Sequence, residues 1–197
     1  MIWAASKAAP HRRAFALVLI HTGCRISEAL QLTPARIDVA GRAIIFRSLK
    51  KRGDKPVFRS VPVPGSLIAE LVRTFRLDPQ FFDEQRLWSV TRNTAYLWIK
   101  DMMSAAGIPP GPHCSPKGLR HGFGVHALMS GVSLNQLQRW MGHADIAVTS
   151  IYARAYGPEE RRIARRMWRV SPFQWRRWLP PFMGWLRSLF QATSRDE

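Results

Sequence analysis

Cysteine, acidic side chains and long apolar runs are all scarce in this chain of 197 residues. The two cysteines, Cys24 and Cys114, are too few for a disulfide framework and lack metal-ligand spacing, which favours a reducing, cytoplasmic compartment. No stretch approaches the roughly 20 apolar residues that would span a bilayer. Internal repeats and low-complexity tracts are also missing, and the length suits one domain with or without a tail.

The shortage of acidic residues leaves a large excess of positive charge. Lys and Arg number 30 against 13 Asp and Glu, and the formal net charge is +17. A field of this sign favours a polyanionic partner. Nucleic acid is the first choice, because neutralising phosphates releases condensed counterions, and an anionic membrane surface is the second. Hydrophobic residues still make up 46% of the chain, so we expect a folded core rather than disorder.

The first helical pattern stops next to an arginine. Residues 13–22 place apolar side chains at helical spacing, and Gly23 stands where a helix would end. A second helical pattern runs from Arg25 to Leu30 and is closed by Pro34. Arg25 is therefore predicted at the start of a helix, beside a break between two helices.

The centre of the chain changes to a β period. Residues 37–39, 43–47 and 57–61 are short and rich in β-branched or aromatic side chains, and segment 50–56 between the last two is a basic turn. Helical patterns then return over 67–75, 92–106, 115–131, 133–141 and 148–156. A Ser-Pro cap begins the pattern over 115–131, and a capping box over 133–136 begins the pattern over 133–141. We predict a mainly α (α+β) fold, helices with one small antiparallel three-stranded sheet.

Basic side chains occur where the cleavage of a phosphodiester without metal would need them. Such a reaction needs a nucleophile, a proton for the leaving oxygen, and cations around a phosphorane that gains negative charge. Arg25 and Arg120 could bind the non-bridging oxygens, because guanidinium is planar and permanently charged. Lys117 lies three residues before Arg120 on one predicted helix, so both side chains would face a shared anion.

Three sequence boxes resemble the signatures of the tyrosine recombinase, or phage integrase, family. They are TGCRISEAL at 22–30, KGLRH at 117–121 and WMGHADIAVTSIYA at 140–153. The boxes occur in the family's order, and the 23 positions from Arg120 to His143 and the nine from His143 to Tyr152 are typical of it. The similarity covers roughly residues 13–168, and only the joint match is specific.

The resemblance implies a mechanism for the residues in these boxes. Tyr152 would attack the scissile phosphate, leaving a 3′-phosphotyrosine and a free 5′-hydroxyl that later attacks the partner strand's phosphotyrosine. Arg25, Arg120 and His143 would supply the positive field that favours loss of the phenol proton, since an unperturbed tyrosine has a pKa of about 10. Phosphodiester energy is conserved, so no ATP, metal or other cofactor is implied. The sequence accordingly has no carboxylate cluster or phosphate-binding Gly loop.

Lysines complete the site that the resemblance implies. A hairpin lysine would protonate the leaving 5′-oxygen; we favour Lys50, directly after a predicted strand, with Lys51 as the alternative. Many family members have His where this chain has Lys117, which would bind the phosphate or assist proton transfer. The expected contacts to the DNA backbone come from the hairpin residues Lys51, Arg52 and Lys55.

The resemblance implies a site-specific DNA recombinase that acts on double-stranded DNA as a homo-tetramer, for integration or excision of a mobile element. It also implies a cytoplasmic protein that is associated with the nucleoid. Two alternatives stay open. One is a non-cleaving DNA-binding protein that keeps the integrase fold. The other is a topoisomerase of type IB, which the short chain and the spacing from His143 to Tyr152 disfavour.

We expect residues 1–169 to form the catalytic domain and residues 170–197 to form a basic, Trp-rich tail. Full-length relatives carry an N-terminal helical domain that clamps DNA, and the stretch before Arg12 is too short for one, so we expect a truncated gene product or a minimal enzyme with weaker site selection. For the tail we favour docking on a neighbouring protomer over a DNA-tracking role. A membrane-surface helix is disfavoured because Pro180-Pro181 splits the segment.

Overall fold

The computed structural model describes residues 7–48, 57–77, 84–143 and 149. The mainly α architecture with one small sheet is confirmed. Its elements, in chain order, are α1 (Pro10–Thr22), α2 (Ile26–Ala29), a 3-10 turn (Pro34–Arg36), β1 (Ile37–Asp38), β2 (Ala43–Arg47), β3 (Phe58–Pro62), α3 (Gly65–Phe75), α4 (Arg92–Ala105), α5 (Pro116–Met129) and α6 (Leu134–Met141). The predicted helix over 148–156 lies outside the described residues except for Thr149, as does the tail, so the predicted domain boundary at 169 remains a prediction.

The three strands form one antiparallel sheet in the order β1-β2-β3. In the register of β2 with β3, Ile44 pairs with Val61 and Phe46 pairs with Arg59. Along β3 exposed and buried residues alternate, because successive side chains of a strand point to opposite faces. Arg59 therefore faces inward on the same side as Val61, an unusual position for a charged residue.

The break between α1 and α2 requires glycine for two reasons. Gly23 has a φ of 59°, in the left-handed region, and its N–H bonds the carbonyl of Leu19 at 3.0 Å. A Cβ added at Gly23 would lie 2.3 Å from Cδ1 of Phe123 on α5, so a side chain has no room there. Arg25 is the N-cap of α2, as predicted.

Among the described residues, two hydrophobic clusters form the core. The main one joins the first four helices to the sheet, and in it Phe15 contacts Trp88 and Trp98 edge to face, with ring centroids 5.2 and 6.0 Å apart. The smaller one lies between α5 and α6 and consists of Ala127, Leu128, Leu137 and Met141. Within the described ranges, no helix has the length and apolarity needed to cross a membrane.

The caps of α5 and α6 follow the sequence signals with one exception. Ser115 Oγ accepts from the N–H of Gly118 at 3.2 Å, and Ser133 Oγ accepts from the N–H of Gln136 at 3.3 Å. The capping box predicted over 133–136 is only half formed, because the side chain of Gln136 accepts a hydrogen bond from Arg139 instead of returning to Ser133. Helix α6 ends at Gly142, whose φ is 62°, as predicted.

Candidate active site

The guanidinium of Arg120 joins all three sequence boxes. Arg120 lies on α5, and its Nη1 donates to the carbonyl of Gly23, at the end of α1, at 2.7 Å. Its Nη2 donates to the carbonyl of Met141, at the end of α6, at 2.7 Å and lies 2.7 Å from Nε2 of His143. One side chain thus connects the elements of both hydrophobic clusters, and its own orientation is set by three partners on two separate segments.

The ring of His143 is oriented from both sides. A guanidinium can only donate, so Nε2 of His143 accepts from Arg120, and Nδ1 carries the ring proton and donates to Thr149 Oγ1 at 2.9 Å. The pKa of His143 is lowered from its usual 6.5 to about 4, first by burial and then by the positive charges of Arg120, Arg25 and Arg59. At neutral pH the imidazole is therefore uncharged, in a single tautomer. The expectation that His143 itself adds positive charge is thus wrong, and the positive field comes from the arginines around it.

Arg25 is anchored by the residue three positions after it. Its backbone N–H donates to Oε2 of Glu28 at 2.8 Å, and its Nη1 donates to Oε1 of the same carboxylate at 2.9 Å. The side chain of Glu28 is fully buried, whereas 26% of the Arg25 side chain remains exposed. The carboxylate thus holds Arg25 from the protein side and leaves part of it accessible to a ligand.

The same carboxylate binds a second arginine. Nη2 of Arg59 donates to Oε2 of Glu28 at 2.6 Å, and Nη1 donates to Oε1 at 3.2 Å. Burial alone would raise the pKa of Glu28, but the hydrogen bond and charge of Arg59, followed by those of Arg25, outweigh it and lower that pKa. Glu28 is therefore ionised and shared between two guanidinium groups.

Sequence reasoning placed neither Arg59 nor Glu28 in the site. A signal was present, because Arg59 lies two positions before Val61 in a strand. The two side chains therefore share one face of the sheet, and the apolar Val61 indicates that this face points inward. A buried charge needs a partner of opposite sign. Thr149, which orients His143, was missed because it was only part of the third box and its hydroxyl carried no signal of its own.

The predicted site residues fall into three groups. Arg25, Arg120 and His143 are brought together, since both arginines lie close enough to His143 to lower its pKa. The side chain of Lys117 is exposed on the first turn of α5 and makes no hydrogen bond or ion pair with another described residue. The remaining predicted residues lie outside the described residues: Lys50, Lys51, Arg52, Lys55 and Tyr152.

The electrostatics of this centre suit an anion. Three arginines and one carboxylate, Glu28, act on His143, so positive charge predominates around it among the described residues. Arranged guanidinium groups stabilise negative charge that develops on a phosphoryl group without reorganising during the reaction. In the described part of the chain, no group of three or more His, Cys, Asp or Glu side chains could hold a metal ion.

Comparison with known proteins finds one matching family profile and several curated relatives. The profile of the phage integrase family matches residues 1–158. Tyrosine recombinase XerD of Mycobacterium leprae is 35% identical over 155 residues, which are 71% of this chain and 46% of XerD. A protein named Resolvase in Escherichia coli K12 is 27% identical over 174 residues, which are 74% of this chain and 65% of that protein. The chain thus spans from about half to about two thirds of the length of these relatives.

Solved structures share the fold. The crystal structure of XerA recombinase has a TM-score of 0.67 and 27% identity, covering 85% of this chain and 61% of XerA. XerH bound to its difH substrate in a pre-cleavage complex has a TM-score of 0.64 and 20% identity, covering 85% and 51%. The catalytic domain of bacteriophage HP1 integrase has a TM-score of 0.62 and 22% identity, covering 87% and 90%. The architecture is that of a tyrosine recombinase catalytic domain.

Proposed function

The chain belongs to the phage integrase family, and on that premise we propose that it is a site-specific DNA recombinase that cleaves and rejoins strands through a 3′-phosphotyrosine on Tyr152. One observation carries the proposal. The guanidinium of Arg120 contacts the ends of α1 and α6 together with His143, so the three sequence boxes meet at one cationic centre. That centre can bind a phosphodiester and stabilise the phosphorane formed when a nucleophile adds to it.

In the proposed reaction, the phenol of Tyr152 gives its proton to solvent and its oxygen attacks phosphorus while Arg25 and Arg120 bind the non-bridging oxygens. The bond to the 5′-oxygen breaks, and Lys50, or Lys51 in its place, gives that oxygen a proton. In the second step the 5′-hydroxyl of a partner strand gives its proton to the lysine and attacks the phosphotyrosine, and the released phenolate of Tyr152 takes up a proton from solvent. The number of phosphodiester bonds is unchanged, so no ATP is consumed. The arginines and the lysine fill the electrostatic and acid roles, and the proposed mechanism assigns no step to a metal ion.

The proposed partner is double-stranded DNA, bound by a homo-tetramer during integration or excision of a mobile element. The net charge of +17 supports a polyanionic partner, and the structural neighbour XerH was solved with its difH substrate. The predicted backbone contacts are Lys51, Arg52 and Lys55, with Lys117 at the phosphate. Residues 1–169 would supply the catalytic domain, and the tail over 170–197 would dock on a neighbouring protomer.

A suicide substrate tests the proposal directly. A pool of nicked duplexes with randomised arms is incubated with the protein, because a nick beside the cleavage site lets the short fragment diffuse away and traps the covalent intermediate. The wild type is expected to give a gel-shifted DNA species that protease removes, and Tyr152→Phe is expected to give none. Tyr156→Phe, the same substitution four positions later, is the matched control and should still form the adduct.

Two results would contradict the proposal. Adduct formation by Tyr152→Phe would remove this residue from the mechanism. DNA binding by the wild type without any adduct would favour the alternative, a DNA-binding protein that keeps the integrase fold and does not cleave. The adducts recovered from the pool can be sequenced, so a positive result also identifies the preferred site.

A further inference from the structure

Arg59 is the most enclosed arginine among those that surround His143. Its side chain is 7% exposed, and its guanidinium carbon lies 5.1 Å from the ring centroid of Phe46, the residue paired with it on β2. Its Nε donates to the carbonyl of Trp140 at 2.7 Å. The two terminal nitrogens bind Glu28. The planar fork is thus fixed on one face by an aromatic ring and along its edges by four hydrogen bonds, which include those to Trp140 and Glu28.

The carboxylate of Glu28 divides its oxygens evenly between two arginines. Oε1 accepts from Nη1 of Arg25 and Nη1 of Arg59, while Oε2 accepts from the backbone N–H of Arg25 and Nη2 of Arg59. Loss of Arg59 would remove two of these four hydrogen bonds from a carboxylate that is fully buried. A buried carboxylate that loses one of its two charged partners is protonated more easily or moves toward solvent, and either change would weaken its hold on Arg25.

Arg59 also fixes the segment that carries His143. The last two carbonyls of α6 are bound by two different arginines, Trp140 by Arg59 and Met141 by Arg120, each at 2.7 Å. Cations suit this position, because the carbonyl end of a helix carries partial negative charge. A Cβ added at Gly142 would lie 3.0 Å from Nη1 of Arg59, so the guanidinium packs directly against the glycine that ends the helix.

We propose that Arg59 is a positioning residue of the cleavage centre, which holds Arg25 through Glu28 and holds the end of α6, next to His143, through the carbonyl of Trp140. The proposal rests on the proposed function for its effect on cleavage. Arg59 makes no contact with the scissile phosphate in this scheme. Lysine cannot replace it, because a single ammonium group cannot bind both oxygens of Glu28 and the Trp140 carbonyl in one plane.

The test compares Arg59→Met and Arg59→Lys with the wild type in the suicide-substrate reaction at saturating DNA. A displacement of catalytic groups by about 1 Å costs about 10²-fold in rate, and we expect a loss of this order in both variants with little change in DNA affinity. Arg47→Met is the matched control, because Arg47 is an exposed arginine on β2, the strand that pairs with β3. The cleavage rate of Arg47→Met at saturating DNA should equal that of the wild type. A wild-type rate in Arg59→Lys would overturn the proposal, because it would show that charge alone suffices.

A double-mutant cycle with Glu28→Gln separates positioning from general stability. If Arg59 acts through Glu28, Arg59→Met should cost much less cleavage rate in the Glu28→Gln background than in the wild type. Equal costs in both backgrounds would overturn the action through Glu28. The Arg59→Lys variant is used in the same cycle if Arg59→Met does not fold, since it retains the charge.

A second readout does not depend on cleavage. Solvent exchange of the guanidinium N–H groups of Arg25, followed by NMR and assigned with Arg25→Lys, should be slow in the wild type and faster in Arg59→Lys and Arg59→Met. Unchanged exchange in these variants would overturn the positioning role. Absence of an adduct from the wild type together with the expected exchange pattern would reject the proposed function and leave the link from Arg59 to Arg25 standing.

Discussion

Replacing Gly23 with alanine is expected to weaken the fold and the anchor of Arg120 together. The φ of Gly23 is 59°, and a non-glycine residue in the left-handed region costs about 1 kcal/mol. The added Cβ would lie 2.3 Å from Cδ1 of Phe123, so the phenyl ring must move. Overpacking of this kind costs about 1–3 kcal/mol, and the expected loss in the free energy of unfolding is therefore about 2–4 kcal/mol.

Gly107→Ala is the matched control for this substitution. Gly107 also has a positive φ, 72°, but no heavy atom of the described residues lies within 4 Å of a Cβ built there. Urea unfolding should therefore show a loss of only about 1 kcal/mol, the backbone part of the effect. Adding Phe123→Leu to Gly23→Ala should recover part of the difference between the two alanine variants, because the smaller side chain makes room for the new methyl group.

The same pair of variants tests the link to the site. The carbonyl of Gly23 accepts from Arg120, so a shift of this backbone should displace the guanidinium and slow adduct formation by about 10–100-fold in Gly23→Ala. The rate in Gly107→Ala should equal that of the wild type. Equal stability losses in the two variants would refute the packing argument. A wild-type adduct rate in folded Gly23→Ala would refute the dependence of Arg120 on this carbonyl.

Two further predictions concern Arg120 and His143. Arg120→Lys keeps the positive charge but cannot bind two carbonyls and an imidazole at once. Its single-turnover cleavage rate should fall by about 10²–10³-fold while DNA binding persists. A wild-type cleavage rate would contradict the role given to the guanidinium. The pKa of His143 is about 4 in the folded protein, whereas the ordinary value is 6.5. Below pH 6.5 the unfolded chain therefore binds the proton more readily than the folded protein does. The free energy of unfolding should fall as the pH drops from 6.5 to 4. Urea unfolding at several pH values in this range should show a weaker dependence of the free energy of unfolding on pH in His143→Gln than in the wild type. The same pH dependence in both proteins would refute the lowered pKa of His143.

Much of the fold could be predicted because its signals are local. The helix ends at Gly23 and Gly142 and the caps at Ser115 and Ser133 depend on contacts within about four residues, and all four are confirmed. The strand periods were also local, although the third strand begins one residue later than predicted. The reciprocal half of the capping box at Gln136 was predicted wrongly, because Arg139 competes for that side chain and local rules do not rank the two partners.

The sequence by itself determined the mainly α class and the order of the elements. It also contained the three boxes from which Arg25, Arg120 and His143 were predicted as site residues. Only the tertiary structure decided how these residues are held. Arg120 bonds a carbonyl 97 positions away, and Arg59 bonds Glu28 across 31 positions. The physical reason is that a buried charge demands a partner of opposite sign or a carbonyl, but which group meets that demand depends on packing between segments distant in the chain.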